Sequence, residues 1–119
     1  MNALELLRRA QEDRANFQLH VNGFVDDFRA ATEEERRAMV ADGPSHSGRF
    51  EGLIAALISA LCREVGMPPP DWVTHVHSPE PFFVFPARGF ALRLRLMLES
   101  PPPFRARNVF VPENYLSRA

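Results

Sequence analysis

Three groups of residues carry types and spacings that could do chemistry. Arg14 and His20 are six residues apart, with Ala15, Asn16, Phe17, Gln18 and Leu19 between them. This loose arginine-to-histidine spacing is also found in a superfamily of helical ribonucleases. On one continuous helix, six steps separate the two side chains by about 120° around the axis. They would converge on a phosphodiester only through a second chain, so the plainer reading is two solvent-facing helix residues. His75 and His77 are spaced to bring two imidazoles together on a strand. A zinc site needs about four ligands. Cys62 and His46 could be further ligands, but nothing in the spacing fixes them nearby. The sequence is therefore read as holding neither metal nor cofactor.

The third group is arginine interleaved with aromatic rings. Arg88, Arg93, Arg95, Arg105 and Arg107 alternate along the chain with Phe82, Phe83, Phe85, Phe90, Phe104 and Phe110. Stacking rings beside cations is one way to hold single-stranded nucleic acid. It is equally the composition of a protein interface. Charge favours the second reading. All 14 basic residues are arginine, against 15 acids. Residues 1–70 hold eight arginines and eleven acids; residues 71–119 hold six arginines and four acids. A nucleic-acid binder ordinarily shows a clearer basic excess. Phe82, Phe85, Arg88, Phe104, Arg105 and Arg107 are accordingly expected to form a partner-binding surface within Phe82 to Val111.

Other signatures are missing from the sequence. It contains no glycine-rich phosphate loop, nucleophile elbow or zinc-type cysteine pair. The acids Asp26, Asp27, Glu33, Glu34 and Glu35 stand in helix-end contexts, where capping explains them. No catalytic residues are assigned, and an enzyme is not the favoured reading. The single cysteine, Cys62, cannot form an internal disulfide, which suits a reducing compartment. The first residues lack the charge pattern of a signal peptide. The longest apolar run, Leu53 to Cys62, is about half of a membrane span. A cytoplasmic protein with no membrane contact is expected.

These groups must be positioned by helices. A chain of 119 residues fits one domain. Ala3, Leu7, Ala10, Phe17, Val21, Phe24 and Phe28 recur at helical spacing, predicting one helix from residue 3 to about 30, its face widened by Leu4, Leu6, Leu19 and Val25. Asn2 is a fitting cap. Thr32 to Glu35 form a capping-box pattern that starts a short helix ending near Ala41. A polar linker covers residues 42–48. A broad apolar face from Phe50 to Val65 predicts the central helix, stopped by Gly66 and by Pro68, Pro69 and Pro70. Asp71 should cap a short turn carrying Trp72, whose ring should tuck against the central helix. Prolines interrupt Ser78 to Pro86. Phe90 to Leu98 alternates like a strand but is built of helix formers, and helix is preferred. Asn108 to Val111 is the other strand candidate, and Glu113 to Arg118 a last turn. The expected fold is all-α: one domain, residues 1–119, of four to five helices with proline-rich connections, with a small β element near the C-terminus as the alternative.

The C-terminal region also carries a resemblance. Leu98-Glu99-Ser100-Pro101, Pro103 to Val111 and Glu113 to Ser117, with Pro69 to Phe83 before them, resemble small bacterial accessory or antitoxin-like proteins encoded beside nucleotidyltransferase-like toxins. The resemblance covers about the last 50 residues. It implies an intracellular interaction protein, an accessory or neutralising partner of a nucleotidyltransferase. The alternatives are a small nucleic-acid-associated regulator and a helical ribonuclease-like enzyme using Arg14 and His20.

Overall fold

The computed structural model describes residues 1–85 and 87–117. Pro86 and Arg118, ends of two segments read from the sequence, lie outside them. Among the described residues there are six α-helices and one pair of very short strands. The helices are α1 (Ala3–Glu12), α2 (Phe17–Ala30), α3 (Glu33–Val40), α4 (Arg49–Glu64), α5 (Phe90–Glu99) and α6 (Pro102–Arg105). The strands β1 (Phe82–Phe83) and β2 (Val109–Phe110) pair in parallel, Phe82 opposite Val109 and Phe83 opposite Phe110.

The single N-terminal helix expected from periodicity is two helices. The break falls at Asp13, whose backbone leaves the helical region and is followed by a 3-10 turn over Arg14–Asn16. Asn16 donates its amide to the Asp13 carboxylate at 3.1 Å. Short polar side chains offer such local bonds in place of the helical ladder. Apolar spacing survives the break because both pieces bury the same side: Ala3, Leu6, Leu7 and Ala10 from α1, then Val21, Phe24, Val25 and Phe28 from α2. Leu4 and Leu19, read as widening that face, are exposed.

Local chemistry sets the other boundaries. Asn2 accepts from the Glu5 amide, capping α1. Thr32 and Glu35 form the reciprocal capping box that starts α3. Arg36 turns back to donate to the carbonyls of Phe28 and Arg29, both at 2.8 Å, closing the exposed end of α2. Both carbonyls lie in the last turn of α2, beyond the reach of an i+4 helical donor, and that of Phe28 also accepts from the Ala31 amide at 3.2 Å. The central helix is α4, which buries ten residues including Leu53, Ile54, Leu57, Ile58 and Leu61. Gly66, at φ 70°, ends it. The Gly66 amide donates to the Arg63 carbonyl and the Met67 amide to that of Cys62, the paired bonds of a Schellman cap.

The linker over residues 42–48 is tied down. Gly43 lies beneath the Trp72 ring, and the indole N–H donates to the Val40 carbonyl at 2.8 Å. A Cβ on Gly43 would fall 2.1 Å from that ring. Asp71 is the first residue of the 3-10 turn Asp71–Thr74 rather than its cap. Beyond the turn, the chain runs against α4 at Gly52, where a Cβ would meet the Ser78 amide nitrogen at 2.5 Å.

The C-terminal third closes on this body through its backbone. Phe82 donates to the Asn108 carbonyl and Val84 to that of Phe110. Parallel strands require a long crossover connection, and α5 and α6 lie on it. A crossover helix ordinarily covers a sheet face. Here each strand is two residues long, so there is little sheet for α5 to cover.

A candidate docking surface on helix α5

None of the ten residues of α5 is buried. Phe90 is 80% exposed and Leu98 67% exposed, with Leu92, Leu94 and Met97 also on the surface. Phe85, 40% exposed, precedes the helix. The remaining large exposed apolar residues among those described are Leu4 and Leu19. Single exposed apolar residues are ordinary, whereas a contiguous group of this kind marks an interaction surface.

One side of α5 forms the wall of a groove of about 500 Å³. Phe90, Leu94 and Met97, one helical stripe, face Pro81 and Phe83 across it, with Glu80 and Arg93 at its edge. Phe83 is held in place by the strand pair and by the Phe110 ring, 5.1 Å away between centroids. The Arg93 guanidinium lies 5.5 Å from the Phe83 centroid and donates to the Ala87 carbonyl at 3.0 Å. A second hollow adjoins the first and shares Pro81, Phe83 and Arg93 with it. Arg49 and Arg88 complete its cationic lining.

The far end of α5 is anchored by Ser100, which is buried. Its hydroxyl accepts from the Val111 amide at 2.9 Å and stands within donating distance of the Leu96 and Val111 carbonyls. One hydroxyl proton serves one of those carbonyls at a time or is shared between them. This contact fixes where α5 leaves the body without burying its sides.

The structure separates the residues expected to form the partner surface. Phe85 and Arg88 are exposed near the start of α5, and Arg105 is exposed with its guanidinium 3.3 Å from the Leu98 carbonyl. Phe82 is half-buried, edge-on to Phe50 and 5.8 Å below the Arg49 guanidinium. Phe104 is a correction: it is 0% exposed and meets Tyr115 edge to face in the core. Arg107 is also reassigned. It is half-buried, donates to the carbonyls of Val73 and Pro103, and ties α6 to the 3-10 turn Asp71–Thr74. Burial holds its guanidinium below the usual arginine value. Their spacing resembled an interface because buried and exposed aromatic residues look alike in sequence. Phe90, Leu94 and Met97 lie within the expected segment Phe82 to Val111 but are not among the six contact residues expected there. Their i, i+4, i+7 spacing was legible, but their exposure was not.

The other chemical candidates each have contacts of their own. His20 pairs through Nε2 with the Asp13 carboxylate at 3.0 Å. That hydrogen bond is the main cause that holds Asp13 below the usual carboxylate range. Arg14 lies in the neighbouring 3-10 turn and lines a separate hollow with Gln11, Arg49 and Glu51. His75 and His77 are both exposed, and His77 Nδ1 stands 3.3 Å from the Ser47 hydroxyl. His46 instead faces Glu51 at 3.5 Å. Cys62 is fully buried, and burial pushes its thiol up to about 11.

The fold and surface together define a mostly helical domain with one uncovered apolar helix. Comparison with protein-family models, curated proteins and solved structures finds no match for this chain. No helix among the described residues is long and apolar enough to cross a membrane.

Proposed function

We propose that the chain is a protein-interaction module that binds its partner through α5 and the groove beside it. One observation carries this reading: a ten-residue helix with five large apolar side chains exposed and none of its residues buried. Isolated helices of this length are marginal in water, and burial of an apolar face is what usually stabilises them. A partner that covers α5 would supply that burial. The resemblance of the C-terminal region supports a finer version, in which the partner is a nucleotidyltransferase and this chain its accessory or antitoxin-like subunit.

The test is site-specific photo-crosslinking in cells of the natural source. A benzophenone amino acid at Leu92 or Leu98 should give a discrete crosslinked protein. The same group at Arg8, on the exposed side of α1, should not. Leu94→Glu should remove the product. Identical crosslinks from α1 and α5 would count against the reading, and mass spectrometry of the product decides whether a nucleotidyltransferase is involved.

A further inference from the structure

We infer that the seat formed by α5 and its two hollows takes an acidic amphipathic helix of a partner protein. This rests on reading α5 as an interaction surface and adds the chemistry of the occupant. The apolar groove, with Phe83, Phe90, Leu94 and Met97, shares an edge with the arginine-lined hollow of Arg49, Arg88 and Arg93. Arg49 reaches Glu80 at 3.6 Å, both side chains being largely exposed. Arg88 and Arg93 have no carboxylate within ion-pair distance among the described residues. Among the described residues, the Arg105 guanidinium near the other end of α5 bonds the Leu98 carbonyl and no carboxylate. Arg95 pairs with Glu99 within the helix. Cations without counter-charge therefore flank the apolar stripe at both ends.

The occupant must match both features. An amphipathic helix fills such a groove with anchors at i, i+3 or i+4 and i+7. The α5 wall is about 15 Å long at 1.5 Å per residue, room for two to three turns of a partner helix. Carboxylates on the flank of that helix would reach the Arg88 and Arg93 guanidinium groups. Complementary charge of this kind fixes register and rejects partners of the wrong sign.

Charge also argues against a second copy of this chain. A two-fold contact across α5 would set the end carrying Arg88 and Arg93 against the same end in a parallel pairing, or in an antiparallel one against the end near Arg105, where Glu99 is already paired with Arg95. A head-to-tail contact would need an acidic face with large apolar anchors. The acidic helix α3 carries Glu33, Glu34 and Glu35 but exposes no large apolar residue.

The experiment uses the whole chain and a displayed peptide library. Each member is an 18-residue helix with leucine or phenylalanine fixed at i, i+3, i+4 and i+7, and the other positions drawn equally from Glu, Lys and Gln. Selected sequences should favour Glu over Lys at flanking positions by about fivefold or more, the bias expected when uncompensated charges are matched. A selected acidic peptide should lose about tenfold or more in affinity to Arg88→Glu/Arg93→Glu, and its Lys-for-Glu copy should regain binding to that variant. Leu94→Glu should abolish binding, with circular dichroism unchanged because the side chain is at the surface.

Four results would overturn the proposal. Selection without charge preference, or for Lys, would leave an interaction surface with a different partner chemistry. Concentration-dependent dimerisation that Leu94→Glu abolishes, with no peptide bound, would assign the face to a second copy. Leu94-dependent binding to phosphatidylcholine–phosphatidylglycerol vesicles, with no peptide bound, would assign it to a lipid surface. Retention of neither peptide, vesicle nor second copy would remove the interaction reading as well.

Discussion

Phe90 and Phe104 are the same residue type in two opposite environments, so truncating each to alanine tests the description of α5 directly. Phe104 is 0% exposed and Phe90 80% exposed. Full burial of a phenylalanine side chain is worth about 1.5–3 kcal/mol in transfer terms. One fifth of that, the share Phe90 keeps, is about 0.3–0.6 kcal/mol. Alanine is the better helix former by up to about 0.6 kcal/mol, which offsets the loss. Phe90→Ala should therefore lie within about 0.5 kcal/mol of the parent protein. Phe104→Ala removes a ring from a closed core and leaves a cavity, a change that typically costs about 3–5 kcal/mol. It also removes the edge-to-face contact with Tyr115, whose ring centroid is 5.6 Å away. The assay is urea unfolding at 25 °C, followed by circular dichroism and Trp72 fluorescence, with equal slopes required for both variants. A loss above about 1.5 kcal/mol for Phe90→Ala would show that α5 is covered by its own chain. A loss below about 1 kcal/mol for Phe104→Ala would return that ring to the surface.

The remaining expectations concern the body that carries α5. Leu57→Ala, at the centre of α4 and fully buried, should cost about 2–5 kcal/mol by denaturant unfolding; a loss under about 0.5 kcal/mol would contradict its central place. Ser100→Ala leaves the buried Val111 amide without its acceptor, and an orphaned buried donor costs about 1–3 kcal/mol. Hydrogen exchange should quicken at that amide, and unchanged protection would sink the assignment of Ser100 as the anchor. Cys62, buried and with its thiol pushed up to about 11, should resist a thiol reagent at pH 8 in the native state and react in urea; rapid native labelling would refute its burial. The Arg29 guanidinium donates to Glu64 at 2.7 and 3.0 Å and is the main reason the Glu64 carboxyl lies below its ordinary value. A carboxyl depressed in the folded state contributes stability above its unfolded value, about 4.3, and loses it as pH falls through the folded value. Glu64→Gln should therefore lower the urea midpoint at pH 7 and converge with the parent once the pH has fallen below the depressed folded value. A gap that widens in acid would reverse the assignment.

Much of this molecule was determined by its sequence alone, wherever a short stretch carried its own physical reason. Thr32 and Glu35 start α3 because each satisfies a backbone amide of the other's turn. Gly66 ends α4 because the Schellman cap needs a positive φ there. The apolar face from Phe50 to Val65 is broad enough to demand burial on most sides, and α4 is central. The helical character of Phe90 to Leu98 followed from its helix-forming residues against a strand-like alternation. Tertiary structure decided what such local reasons cannot reach. Periodicity continued through Asp13 because two separate helices bury the same side, so spacing alone hid the break. Arg36 and Arg107 became struts because the fold brings the carbonyls of Phe28 and Val73, from other elements, within reach of their guanidinium groups. The deepest difference lies among the phenylalanines: Phe104 went to the core and Phe90 to the surface. Ring type and spacing are the same kind of signal in both cases. Exposure depends on whether another element arrives to cover the ring. For α5 none does, because the two-residue strands it connects offer it little surface to lie on.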